Sequence, residues 1–393
     1  MKKLVSGILL TAASSALFAQ QPLPINVVNN FRVEYDDNIF TTGDGDPEGP
    51  QESWKLIEEI DILLDADQGN TYFGLRYIPS LVYYFDRPDD DTDLNHLLDF
   101  VLDHSFTPRT TLRLKDSFRV SEEPEVIDND VTVRNNNDFI FNLAQGQIEH
   151  QLVPEKTFFR VDGKYEVIRY DDSDVAETSD YDQWGAGLDL VQQVTPVSEI
   201  GLQGRYYESN YDFNVRDLEG YQAGIVANHV FNPAFQADLR LGYESSDSDE
   251  NEGTSDNPYG ELSGVIVPNR DTRITLGIRG AQDRSPVNTF THQLLTRVYG
   301  TWDQQLTAGM TLTLSGSYSN GQFDQDDTTS VFDPAVNQTG EETVLSLMGR
   351  LSYALGPRNF LDLTYKYNEL ESDVRPNEDF DRNRVSLGWR YTL

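Results

Sequence analysis

The order of chain reversals constrains this sequence more than any other feature. Runs of about 10 to 15 residues alternating apolar and polar fill residues 27–393, joined in strict succession by a tight turn, then a long connection. The tight turns read Asp67-Gln68-Gly69-Asn70, Thr107-Pro108-Arg109, Val153-Pro154-Glu155, Thr195-Pro196-Val197, Asn232-Pro233-Ala234, Pro268-Asn269-Arg270-Asp271, Thr307-Ala308-Gly309 and Gly356-Pro357-Arg358. Pro fixes φ, while Gly, Asn and Asp accept the backbone angles that reverse a chain. The long connections fall at 37–51, 87–92, 122–136, 172–180, 212–216, 245–257, 281–289, 322–341 and 372–381, and most are strongly acidic. Eight turns and nine loops predict about 18 strands, with both chain ends on the tight-turn side. Short turns on one side, long loops on the other and an even strand number predict an all-β fold, a transmembrane antiparallel up-and-down β-barrel. A propeller would need four much shorter strands per repeat.

The strand faces agree. In FFRVDGKYEVIRY (158–170), Phe159, Val161, Tyr165 and Val167 oppose Arg160, Asp162, Lys164 and Glu166. In FLDLTYKYN (360–368), Leu361, Leu363, Tyr365 and Tyr367 oppose Asp362, Thr364, Lys366 and Asn368. Strands of this length cross a membrane when tilted, whereas sandwich strands average near six residues. The apolar face is therefore predicted to meet lipid and the polar face the lumen. Two stretches, 141–150 and 219–230, carry small or apolar residues on both faces and leave the register open. Aromatic residues followed by acid, at Tyr35-Asp36, Tyr84-Phe85-Asp86, Tyr170-Asp171, Tyr211-Asp212, Tyr243-Glu244 and Phe323-Asp324, predict the outer interfacial girdle.

Met1-Lys2-Lys3, the apolar run Leu4 to Phe18 and Ala19 read as a secretory signal peptide cleaved after Ala19, leaving 20–393 as one barrel domain. These features predict export to the outer membrane of a Gram-negative bacterium. With 66 Asp+Glu against 30 Lys+Arg and a net charge of −36, nucleic acid is excluded as a partner. The last strand, RNRVSLGWRYTL (382–393), places Val385, Leu387, Trp389 and Tyr391 at alternate positions. It resembles the C-terminal signal that the barrel-assembly machinery reads, with Leu393 where that pattern usually has Phe.

The layout as a whole is similar to the β-barrel porins associated with exopolysaccharide export in Gram-negative bacteria. Its specific motif is Tyr35 to Phe40, YDDNIF, at the end of the first strand. That resemblance implies an outer-membrane pore or accessory barrel, with polysaccharide export components as partners and no catalytic residues.

Little in the sequence carries chemistry. The five His residues form no metal-ligand spacing, and no nucleophile elbow or phosphate-binding loop is present, so no enzyme and no cofactor is expected. The acidic loops, richest at Asp89-Asp90-Asp91 and from Asp247 to Glu252, could hold Ca²⁺ or Mg²⁺ loosely, bridging the rim to lipopolysaccharide in the outer-membrane lipid. They would also gather cations. The candidate pore-lining residues, all on the polar parity, are Arg113, Lys115, Arg160, Asp162, Lys164, Glu166, Arg205, Asp238, Arg240, Arg279, Arg350, Asp362, Lys366 and Arg390. About 18 strands enclose more space than side chains fill, so the expected function is a water-filled pore for hydrophilic solutes. The alternatives are a non-conducting structural or adhesive barrel and, further off, a barrel lipase or protease.

Overall fold

The computed structural model describes residues 25–43, 45–47, 49–87, 91–121, 126–127, 131–132, 138–212, 216–248, 253–287, 289–324, 339–375 and 377–393; the signal-peptide reading lies outside them. The strands are β1 (Ile25–Asp36), β2 (Ser53–Asp67), β3 (Thr71–Tyr84), β4 (Thr92–Thr107), β5 (Thr110–Ser121), β6 (Val126–Ile127), β7 (Val131–Thr132), β8 (Phe139–Val153), β9 (Thr157–Tyr170) and β10 (Tyr181–Thr195). They continue as β11 (Ser198–Tyr211), β12 (Leu218–Asn232), β13 (Phe235–Ser248), β14 (Gly253–Asn269), β15 (Thr272–Arg284), β16 (His292–Thr307), β17 (Met310–Phe323), β18 (Gly340–Gly356), β19 (Asn359–Ser372) and β20 (Phe380–Thr392). One short helix, α1 (Ser173–Ser179), lies between β9 and β10, capped by the Asp172 carboxylate, which accepts from the amides of Asp174 and Val175.

Eighteen strands pair antiparallel with their sequence neighbours, and β20 pairs with β1 to close the barrel. β6 and β7 form a separate two-residue pair between β5 and β8. Closure matters in lipid because an open edge would leave backbone groups without partners. Each predicted turn joins two paired strands, and Gly69 adopts φ +67° at the first of them. One predicted loop is mostly strand: of 245–257, β13 holds residues up to Ser248 and β14 those from Gly253. Polar residues can extend a hairpin above the membrane because the ladder uses backbone groups, and Thr254 donates to Asp247 at 2.6 Å there.

The faces separate as the alternation predicts. Val161, Tyr165, Leu363, Tyr365, Leu387 and Trp389 are exposed on the outside. Part of the girdle reading is corrected. Tyr35 and Tyr243 face outward, but Tyr84, Tyr211 and Phe323 are buried inside and Tyr170 packs on an interior cluster. Parity decides this, and outer loops that fold over the mouth bury the rings. Ile39 from the first loop packs on Ile57, Val82 and Tyr84, and Val287, Phe290 and Val374 from two other loops pack on Phe323.

The barrel seam is held by the end of the first strand. Asp36 is fully buried and bonds Arg382 of β20 through two oxygens (2.9 and 2.5 Å) and Lys55 of β2 at 2.8 Å. Asp37 accepts from both the backbone and side-chain nitrogens of Asn383. Asn38 accepts from the Thr42 amide and donates to the Thr42 carbonyl, fixing the loop that brings Ile39 inward. Within YDDNIF, Asp36 and Asp37 thus tie the first strand to the last, and Ile39 and Phe40 anchor the first loop on β2 and β3.

The irregular stretch 219–230 has a packing cause. Inward tyrosines lie flat against the wall where a neighbouring strand has glycine: Tyr207 over Gly220, and Tyr259 over Gly224 and Gly242. A Cβ at Gly242 would sit 2.3 Å from the Ala223 carbonyl oxygen and 2.6 Å from the Tyr259 ring. Gly242→Ala is therefore expected to destabilise the barrel by about 1–3 kcal/mol through overpacking. The check is a lower urea midpoint in lipid vesicles, with Gly280→Ala, whose Cβ would meet open space, as the unaffected control.

Candidate functional site

The inner faces of β5, β8–β13 and β15, with loop residues Ser285, Pro286 and Arg375, line a cavity of about 900 Å³. Nine sequence-predicted residues line it: Arg113, Lys115, Arg160, Asp162, Lys164, Glu166, Arg205, Arg240 and Arg279. The other five sit on inward positions elsewhere. Arg350 and Arg390 converge on the buried Asp362, each at 3.0 Å. Asp238 accepts from Asn228 at 2.6 Å, and Lys366 lies on β19 opposite Arg384 of β20.

The lining holds ten basic side chains and five acidic ones, in a chain whose net charge is −36. The acids mostly orient the cations. Arg205 reaches Asp189 at 2.7 Å and Asp162 at 3.3 Å, Arg160 donates to Glu149 at 2.7 Å, and Arg279 forks onto Asp283 at 2.8 and 2.9 Å. Arg113 and Arg240 stay more than half exposed to the lumen despite their contacts with Asp103 and Glu261. A low-dielectric wall focuses such a field into the water it surrounds.

One contact bridges the lumen instead of following the wall. Arg284 on β15 donates to Glu166 on β9 at 2.6 Å, although six strand positions separate them around the barrel. Tyr181 donates to the same carboxylate oxygen at 2.6 Å, and the Arg284 guanidinium stacks 3.6 Å above its ring. This bridge narrows the lumen.

Above it the outer loops interlock. Arg216 is 2% exposed; it donates to the Thr178 carbonyl of the α1 loop at 2.7 Å and to the Ser285 carbonyl at 2.6 Å, over the Tyr211 ring. Burial presses its pKa down, and the two carbonyls and ring face offset that cost. The loop holding Ser285 contributes Val287 and Phe290 to the cluster with Val374. The loop holding Val374 meets the first loop, where a Cβ added at Gly45 would lie 3.0 Å from Asn377 Cβ. Loop residues from five connections thus form one strap across the outer mouth.

The sequence pattern missed Arg216, Arg284, Arg375, Asp189, Glu244 and Asp283. Strand parity could have found Asp189 and Glu244, but no periodic signal reports which loop residues fold inward. The acidic positions proposed for cations lie in part outside the described residues, at Asp89, Asp90 and 249–252. Among the described residues no group of three or more His, Asp or Glu is placed to hold a metal.

A closed 18-stranded antiparallel barrel with apolar outer face, charged lumen, tight turns at one end and long loops at the other is an outer-membrane β-barrel porin. The chain belongs to the family described as "Putative beta-barrel porin 2", whose model matches residues 86–393. The first strand and its YDDNIF segment precede that match. Among solved structures, the chain is similar to OccK2 (OpdF) of Pseudomonas aeruginosa, with TM-score 0.50 and 14% identity over 95% of this chain and 100% of that one. The same protein in complex with glucuronate gives TM-score 0.50 and 15% identity over the same shares. These likenesses show the fold. A comparison with curated proteins finds no match.

Proposed function

We propose that this porin passes hydrophilic anions, and that its outer mouth is narrowed by the interlocked loops. The observation that carries the reading is the lining of ten basic and five acidic side chains inside a protein of net charge −36. The cation preference suggested by the acidic loops concerns the rim; passage is decided where the wall is closest to the solute. Tyr170, Tyr181, Tyr207 and Tyr211 add ring faces and hydroxyls to the lining, a combination that suits hydroxylated acids. Sugar acids are the first solutes to test, in keeping with the OccK2 complex with glucuronate and with the resemblance to export-linked barrels. No lining group is assigned a catalytic role. Residues 1–19 act in this reading as the export signal, and strand 382–393 as the segment handed to the assembly machinery.

The test is planar-bilayer reversal potential across a KCl gradient, expected to show anion preference. One unit charge about 7 Å from a hydrated ion is worth about 0.6 kcal/mol in water, roughly a 2.7-fold change in local anion concentration. Arg113→Gln, Lys115→Gln and Arg240→Gln together are therefore expected to cut the local anion concentration about 20-fold at low salt and less at high salt, and to lower the anion preference read from the reversal potential. These are lumen-exposed cations, so folding should survive. Cation preference in the wild type, or an unchanged reversal potential in the variant, would sink the reading.

A further inference from the structure

The lipid-facing wall repeats one device along its tight-turn edge. His104 on β4, His150 on β8 and His229 on β12 each stand three residues before the end of a strand that leads into a tight turn. Through Nδ1 each ring meets the hydroxyl of its cross-strand partner: Thr71 at 2.8 Å, Thr110 at 2.9 Å and Ser198 at 2.8 Å. At the same height Gln192 on β10 and Gln304 on β16 accept from Thr157 and Thr272 at 2.8 and 2.7 Å. All five point outward, since Arg113, Arg160, Arg205 and Arg279, on the opposite parity of neighbouring strands, line the lumen. Tyr353 on β18 and Trp389 on β20 hold the equivalent position, three residues from their strand ends, and both are exposed. Amphipathic rings of this kind sit at the headgroup level, which fixes the height of the whole belt.

The hydroxyls decide which ring nitrogen carries the proton. A backbone N–H can only donate, so Thr195 Oγ1 accepts from the Val197 amide at 3.2 Å and donates in turn to Ser198 Oγ at 2.8 Å. Ser198 then has its own proton for His229 Nδ1. The Arg109 amide, Thr107 and Thr110 repeat this relay onto His150, at 3.1 and 3.2 Å. An Nδ1 that accepts leaves the ring proton on Nε2, and no described residue bonds that nitrogen in any of the three rings. In both glutamines the amide oxygen is likewise taken, and the NH₂ group keeps a proton beyond the one given to the Gln193 or Gln305 carbonyl. We propose that this belt binds the phosphodiester groups of phospholipids in the leaflet on the tight-turn side, one lipid to each donor. Outward N–H groups at headgroup depth require acceptors, and the acceptors there belong to lipid. Phosphate is favoured over ester carbonyl because a charge-assisted hydrogen bond is roughly twice as strong as a neutral one. Arg109 and Lys156, in the turns after β4 and β8, add positive charge beside the first two rings. The donors on β4, β8, β10 and β12 lie two strands apart, about 10 Å along the pairing direction, which leaves room for separate lipids. The inference concerns the outer wall and stands whether or not the lumen selects anions.

The test is native mass spectrometry of the full-length protein released from micelles that contain dioleoyl phosphatidylglycerol or, separately, a galactosyl diacylglycerol with the same chains. The second lipid keeps both esters and lacks phosphate. Wild type is expected to retain phosphatidylglycerol in several copies and the galactolipid at least about threefold less. His104→Leu, His150→Leu and His229→Leu together should remove more than half of the bound phosphatidylglycerol, while heat-modifiable gel mobility shows an intact barrel. A second measurement needs no variant. In wild type labelled with ¹⁵N-histidine, the Nε2 signals of the three rings should shift on adding phosphatidylglycerol and stay in place with the galactolipid. Equal retention of the two lipids, wild-type retention of phosphatidylglycerol by the Leu variant, or unmoved Nε2 signals would overturn the proposal.

Discussion

Asp36→Ala is expected to lower the unfolding free energy of the barrel by about 3–5 kcal/mol, because removing one member of a buried ion cluster strands the others. Lys55 is wholly buried and Arg382 is 2% exposed. Lys55 also reaches Glu34 at 3.2 Å, while Arg382 loses both bonds to the Asp36 carboxylate. Arg382 belongs to the last strand and Asp36 to the first, so the damage is concentrated at the seam between β1 and β20. Asp36→Asn keeps the shape and removes the charge, and is expected to cost nearly as much. The measurement is the urea midpoint of refolding into lipid vesicles, read by Trp fluorescence. Replacing all three members with apolar residues should recover most of the loss, since desolvation offsets much of what a buried ion cluster contributes. A wild-type midpoint for Asp36→Ala would mean that the cluster does not hold the seam.

A disulfide between Gly45→Cys and Asn377→Cys is expected to hold the outer mouth in its narrow state. The added Cβ would sit 3.0 Å from its partner, close enough to the usual 3.5–4.5 Å of a disulfide that a small loop shift accommodates it. The bond joins the first and last loops at one end of the strap. Single-channel current through the oxidised variant should lack the larger open level reached after reduction. Arg216→Ala, which removes the two carbonyl contacts holding the α1 loop to the Ser285 loop, should act in the opposite sense and raise the time spent open. Identical traces before and after reduction, together with wild-type behaviour of Arg216→Ala, would show the strap to be a fixed wall.

The strand plan was legible because a β-barrel in lipid obeys two local rules at once. Alternation sorts each strand's faces, and turn chemistry sets each reversal, so the Pro and Gly turns and the apolar rows at Val161, Leu363 and Leu387 could be placed from neighbours in sequence. Nine of the residues that line the cavity came from the same parity. Exceptions arose where a residue answers to something distant. Gly220 and Gly224 leave small residues on the inner face of 219–230 because Tyr207 and Tyr259 lie over them. The acid run at 245–256 read as a loop because composition reports solvent, while the backbone ladder between β13 and β14 continues above the membrane.

By itself, the sequence determined the barrel: its strand number, which face meets lipid, and which end carries the loops. Each follows from periodicity and turn residues within a hairpin. Only the tertiary structure decided what fills the mouth and where charge is placed across space. The Arg284–Glu166 bridge joins residues 118 positions apart and the Asp36–Arg382 pair residues 346 apart. Such contacts depend on closure of the whole ring, which no local pattern encodes. For the same reason YDDNIF, a strand end running into acid, became intelligible only once the last strand lay beside the first.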